Sequence, residues 1–106
     1  MATFDVGGSW DAIQSNGHRA AFDLRLRGTQ GVFHGTASHS GGSVRGHGEG
    51  VITGNDFLYT VTWNNGTIGE YNGRFNAEGR ITGVTFDKRN PGSSATWSSS
   101  KRFRRI

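Results

Sequence analysis

The residues able to do chemistry in this chain are few, and most of them sit in alternating runs. In Val44-Arg45-Gly46-His47-Gly48-Glu49-Gly50 a histidine and a carboxylate two residues apart share one face of an extended strand, a pair suited to acid-base work. The next turn decides which way they point. A two-residue turn at Gly54-Asn55 sends Val44, Gly46, Gly48, Gly50 and Ile52 inward and leaves Arg45, His47 and Glu49 outside, which is the expected arrangement. A one-residue bulge would invert it. In an enzyme, His47, Glu49 and Tyr71 are the catalytic candidates, and a cofactor-free cyclase or isomerase that orients a reactive polyene or carbonyl substrate is the matching reaction class.

A second set of residues binds rather than reacts. In Phe57-Leu58-Tyr59-Thr60-Val61-Thr62-Trp63, alternation puts Phe57, Tyr59, Val61 and Trp63 on one face, an aromatic wall. The glycines of the preceding run face that wall and leave space, although glycine also serves sheet curvature and the aromatics also serve simple filling. Trp63, Tyr59 and Tyr71 are therefore the leading ligand-stacking candidates. Trp97, His34, Thr36 and Ser38 are secondary ones, the last three sharing one strand face from which they would hydrogen-bond a ligand.

Other site classes lack the required pattern. Pairing around Ser40 to Gly42 sets His47 opposite Gly35 and on the other face from His34, so His34, His39 and His47 do not converge on a metal. The chain has no cysteine, hence no thiolate site and no disulfide scaffold. It has no nucleophile elbow, phosphate loop or triad spacing, and no cofactor is expected. Asn65-Gly66-Thr67 matches a glycosylation acceptor, yet Asn-Gly at a hairpin tip has a sufficient conformational reason.

The elements that position these residues are strands. The sequence has 106 residues with 18 glycines and one proline, about one domain, and turn signals recur at regular spacing. They fall at Asn16-Gly17, Gly28 to Gln30, Ser40 to Gly42, Gly54-Asn55, Asn65-Gly66, Asn76 to Gly79 and Lys88 to Ser94. The intervals predict eight strands, near 8–15, 18–27, 31–39, 43–53, 56–64, 67–75, 79–87 and 95–103. Short loops place consecutive strands side by side, and closing the sheet removes both edges. The expected fold is all-β, an eight-stranded antiparallel up-and-down β-barrel comprising residues 1–106 as one domain, with a short basic tail at 101–106; a sandwich is the alternative.

Gly8-Ser9-Trp10, with Lys101, Arg102 and Arg104 near the chain end, resembles the structural signature of the calycin barrels, in which a basic side chain packs across a first-strand tryptophan. Thr60-Val61-Thr62-Trp63, Gly69-Glu70-Tyr71 and Ala95-Thr96-Trp97 resemble strands of the avidin and streptavidin branch. The resemblance implies a ligand-binding barrel and homo-oligomerisation through the outer walls. It does not extend to the biotin site: Ala12, Ala37 and Thr85 stand where that family places an amide, a tyrosine and a tryptophan, and Arg102 to Arg105 where it places an acid. Each missing partner weakens a buried polar head group, so biotin should bind poorly.

Charge narrows the partners. Residues 101–106 carry four of the twelve Lys and Arg, which leaves eight basic against eight acidic groups in the rest of the chain, and the body lacks the basic stripe of a nucleic-acid binder. Thr60, Thr62, Arg19, Asp23, Arg25 and Arg27 give the outer wall a polar character with no broad apolar patch to demand a partner. No apolar run is long enough for a membrane helix and the start lacks signal-peptide features, so a soluble chain is expected, cytoplasmic or secreted in mature form. The function these readings support is a non-catalytic binding module for a small organic ligand or glycan unit at the barrel mouth, a lectin being one variant.

Overall fold

A computed structural model describes residues 4–27 and 31–105. Eight strands follow in chain order: β1 (Gly8–Gln14), β2 (Arg19–Arg27), β3 (Val32–His39), β4 (Val44–Thr53), β5 (Asp56–Trp63), β6 (Ile68–Phe75), β7 (Ile81–Asp87) and β8 (Asn90–Ser99). Each pairs antiparallel with its neighbour, and β1 meets β8 to close the barrel. The up-and-down barrel expected from the turns is the fold. The expected turn at Gly28 to Gln30 lies outside the described residues.

The hairpins are built by local chemistry. At Asn65-Gly66 the Asn65 Oδ1 accepts from the Thr67 backbone N–H and hydroxyl, and Gly66 takes the positive φ of 88° that a side chain would resist. At Asn76 the same side-chain oxygen accepts from the backbone N–H groups of Glu78 and Arg80. Two elements differ from expectation. The β3–β4 turn occupies Ser40–Ser43, so His39 pairs with Val44 and His47 stands opposite Thr36 rather than Gly35. That shift of one residue puts His34 and His47 on the same, outer face. The eighth strand starts at Asn90, directly after a tight turn, yet its register jumps from Asp87↔Asn90 to Phe86↔Ser94 and leaves Pro91 to Ser93 as a bulge.

Alternation divides the barrel cleanly. Trp10, Phe22, Phe33, Phe57, Tyr59, Tyr71 and Trp97 are buried inside, while Arg45, His47 and Glu49 are exposed outside, as the turn at Gly54-Asn55 dictates. The inner glycines of β4 do not open a cavity. A Cβ on Gly46 would lie 2.6 Å from the Thr62 carbonyl oxygen, and one on Gly48 or Gly50 would collide with the backbone of β5, so these positions serve the tight coil of β4 against β5.

One end of the barrel is sealed. Phe4 stacks on Phe75 at 3.9 Å, Phe103 meets Trp10 edge-on at 4.9 Å, and Trp10 packs against Phe22, Phe57 and Trp97. The Trp10 indole N–H donates to the Val6 carbonyl at 3.0 Å. The cation expected across Trp10 lies elsewhere: Lys101 sits over Phe103 and Arg105 over Phe4. Phe103 outcompetes the charged side chains for the indole because it closes the barrel without desolvating a cation. Residues 101–105 thus fold across the closed end, tied down by Phe103 N–H to the Gly79 carbonyl and Asp5 N–H to that of Arg104.

The outer wall is polar in most rows but not in all. Val32, Val51 and Leu58 are adjacent in one register row that continues through Asn72 to Val84; Val32, Leu58 and Val84 are exposed, as is Ile13 in another row, apolar positions that the composition did not announce. No helix among the described residues is long and apolar enough to cross a membrane.

Candidate functional site

The opposite end is open. It carries the β1–β2, β3–β4, β5–β6 and β7–β8 turns, and among them lies a cleft of about 240 Å³. Trp63 ends β5 and forms one wall, with Tyr71 on the adjacent strand β6 at the floor. Between them, Gly69 keeps the backbone of β6 bare: a Cβ there would come within 2.8 Å of the Trp63 Nε1. The indole can therefore lie flat against β6 beside the opening. His39, the last residue of β3, meets the Trp63 ring edge-on at 4.8 Å and faces His18 at 6.0 Å.

The polar lining is mostly uncharged. Gln14 closes the floor by donating its side-chain amide to the Tyr71 hydroxyl at 3.0 Å, and Thr85 lines the floor beside it. Asn16, Thr67, Ser93 and Ser94 rim the opening. The ionisable side chains in the lining, His18, His39 and Asp87, stand toward the rim, at or beyond strand ends. Burial, and then the neighbouring His18, lower the His39 pKa below the usual imidazole value, so the ring is neutral at pH 7. Burial pushes the Tyr71 phenol up to about 12 against the opposing pull of hydrogen bonds from Thr85 and Gln14. Tyr59, directly paired with Tyr71, is raised further by burial and by Tyr71 itself. Both phenols are proton donors at any ordinary pH.

One buried donor at this end is unsatisfied. The Tyr59 hydroxyl is buried with no hydrogen-bond partner. The Trp63 indole N–H has no acceptor among the described residues, whereas the Trp97 indole donates to the Asn72 and Val84 carbonyls at 3.0 and 3.2 Å. Buried polar groups are nearly always paired, so an orphan donor beneath a cleft is informative.

Of the residues nominated from the sequence, Trp63 and Tyr71 line the cleft, Tyr59 lies directly beneath it, and Trp97 stands one layer deeper, edge-on to Tyr71 at 5.6 Å. His34, Thr36 and Ser38 do share a face, but it is the outer one, since Phe33 and Ala37 hold the inner positions of β3. Thr36 and Ser38 border a larger, shallow groove on the outer wall with Asp11, Asp23 and Arg45. That groove offers no exposed aromatic face. His47 and Glu49 also face outward, so the barrel wall separates them from Tyr71. No cluster of metal-ligating side chains occurs among the described residues.

Gln14, His18, His39 and Thr85 were missed. His39 was readable, because counting by two from Phe33 through Gly35 and Ala37 reaches it on the inner face. The same count reaches Gln14 from Trp10 through Ala12 and Thr85 from Ile81 through Gly83, but their engagement with Tyr71 depends on the closed barrel and carries no local signal.

No family model matches the chain, and no curated protein is similar to it. Among solved structures, a redesigned β-barrel, mFAP1, bound to DFHBI, is similar with a TM-score of 0.61 and 11% sequence identity, over 94% of each chain. At that identity the likeness is one of fold, between two chains of matching extent.

Proposed function

We propose that the chain is a non-catalytic binding barrel that takes a small organic molecule in the cleft at its open end. One observation carries the reading: an aromatic wall and a polar floor meet where the barrel is unsealed, while the other end is packed with rings. Ligand sites combine an apolar face with a few convergent polar groups, and Trp63 over Gln14 and Tyr71 has that form. At about 240 Å³ the cleft lies below the usual range for drug-sized ligands, which sets the scale at one or two rings. The fold likeness to a barrel bound to DFHBI is in keeping with such an occupant.

A glycan unit is the second reading, favoured by Asn16, Thr67, Ser93 and Ser94 around a cleft that Trp63 borders. The avidin-like reading of the strands brings no biotin with it. Ala12 and Ala37 face inward without polar atoms, and Thr85 is engaged with Tyr71.

The test is calorimetric titration with naphthalene, coumarin, xylobiose and biotin, repeated on Trp63→Ala. One- or two-ring compounds should bind, biotin should not bind at nanomolar concentration, and Trp63→Ala should weaken ring binding at least tenfold. Ring binding untouched by Trp63→Ala would place the site elsewhere, and saccharide binding in place of ring binding would make the barrel a lectin.

A further inference from the structure

The buried Tyr59 hydroxyl without a partner and the donors nearest it at the open end share one chemistry. Tyr59 Oη and Trp63 Nε1 lie on the same face of β5, two inward positions apart, and both are uncharged hydrogen-bond donors. The Tyr71 hydroxyl, across from Tyr59 on β6, accepts from Gln14 and keeps its own proton. Tyr59 and Tyr71 are directly paired on the inner face of β5 and β6, so their rings belong to the layer at and just below the base of the cleft. Phe22 meets both rings edge-on, at 5.1 and 5.0 Å, and holds them in place from the opposite wall. Among the described residues no basic side chain stands at this depth, since His18 and His39 are at the rim.

A carboxylate driven to this floor would be stripped of water without a counter-charge, an expensive transfer. A hydrocarbon would leave the Tyr59 hydroxyl unsatisfied. A neutral carbonyl oxygen has two lone pairs and needs only hydrogen-bond donors. We infer that the floor of the cleft is a carbonyl subsite, in which Tyr59 and Tyr71 donate to the oxygen of an uncharged, planar one- or two-ring ligand while Trp63 covers its face. This rests on the proposed binding role of the open end and adds the chemical class of what it binds. Tyr59 lies one side chain below the cleft lining, so a ligand that seats its carbonyl displaces the Tyr71 ring slightly and gives Tyr59 the acceptor it lacks.

Coumarin, its carbonyl-free counterpart naphthalene and the anion 2-naphthoate separate these cases. Coumarin should bind about tenfold more tightly than naphthalene, the change that one neutral hydrogen bond in a dry site supports, and 2-naphthoate most weakly. Tyr59→Phe should bring coumarin down to naphthalene and leave naphthalene itself unchanged. That variant removes an unpartnered hydroxyl and should fold as well as the parent, which a thermal melt checks. As a second readout, the carbonyl stretch of bound coumarin should fall in frequency and recover in Tyr59→Phe. Equal coumarin affinity for parent and Tyr59→Phe, with the stretch unmoved, would overturn the carbonyl subsite yet leave the binding cleft standing. Failure of coumarin and naphthalene alike would overturn the cleft, and the subsite with it.

Discussion

The two ends of the barrel use the same residue type for opposite ends. Trp10 at the closed end is ringed by Phe22, Phe57, Trp97 and Phe103, and its N–H is bound to Val6. Trp63 at the open end touches His39 on one side and bare Gly69 on another, and its N–H is free among the described residues. A tryptophan whose ring and N–H are both satisfied is a structural plug. One that borders a cleft, as Trp63 does, is the side chain on which the proposed binding role rests. The difference lies in what each strand end meets: the chain termini fold back over Trp10, whereas short polar turns surround Trp63.

Substitution at the two positions should separate stability from binding. Trp10→Ala should cost about 3–5 kcal/mol in chemical denaturation, through the cavity and the orphaned Val6 carbonyl. Trp63→Ala, though nearly as buried, should cost about 1–2 kcal/mol less, because the ring borders a cleft and no backbone carbonyl is orphaned. Binding should follow the reverse order. A Trp63→Ala protein destabilised as far as Trp10→Ala would mean that both ends are plain core.

Titration sharpens the same contrast, since the shifted groups with a direction assigned all lie at or beneath the open end. The Tyr71 phenol is held up to about 12 in the fold, against an unfolded value near 10. The unfolded chain therefore loses this proton first, and stability is fully present below about pH 10 and declines as pH climbs toward 12. Denaturant midpoints across that range should fall less steeply for Tyr71→Phe than for the parent. His39 runs the other way. Its folded pKa lies below the unfolded 6.5, so neutral His39 supports the fold above that pH and stability is lost as pH falls below it. His39→Gln should flatten this smaller acid slope, and an unchanged slope would assign it to other groups.

Much of the fold was legible because its signals are local. Asn-Gly pairs and period-two alternation gave strand number, order and the outward placement of His47 and Glu49, all of which survive in the barrel. Errors arose where one residue of turn length mattered, as at Ser40–Ser43, where the His47 pairing slipped by one. The aromatic wall of β5 was legible for the same reason as the strands. The function of the β4 glycines was not, because the coil that brings the β5 backbone onto Gly48 is a property of the closed sheet. Nor was the bond from Gln14, an inward position by alternation, to Tyr71, 71 − 14 = 57 residues away and in reach only once β1 has closed against β8.

The most direct measurement is fluorine NMR of the chain labelled with 5-fluorotryptophan, titrated with coumarin. The three indoles, Trp10, Trp63 and Trp97, give three resonances, assigned by single Trp→Phe variants. A site in the open-end cleft predicts a saturable shift of the Trp63 signal with Trp10 unmoved. A saturated complex in which Trp63 stays still, or in which Trp10 moves instead, would contradict the account.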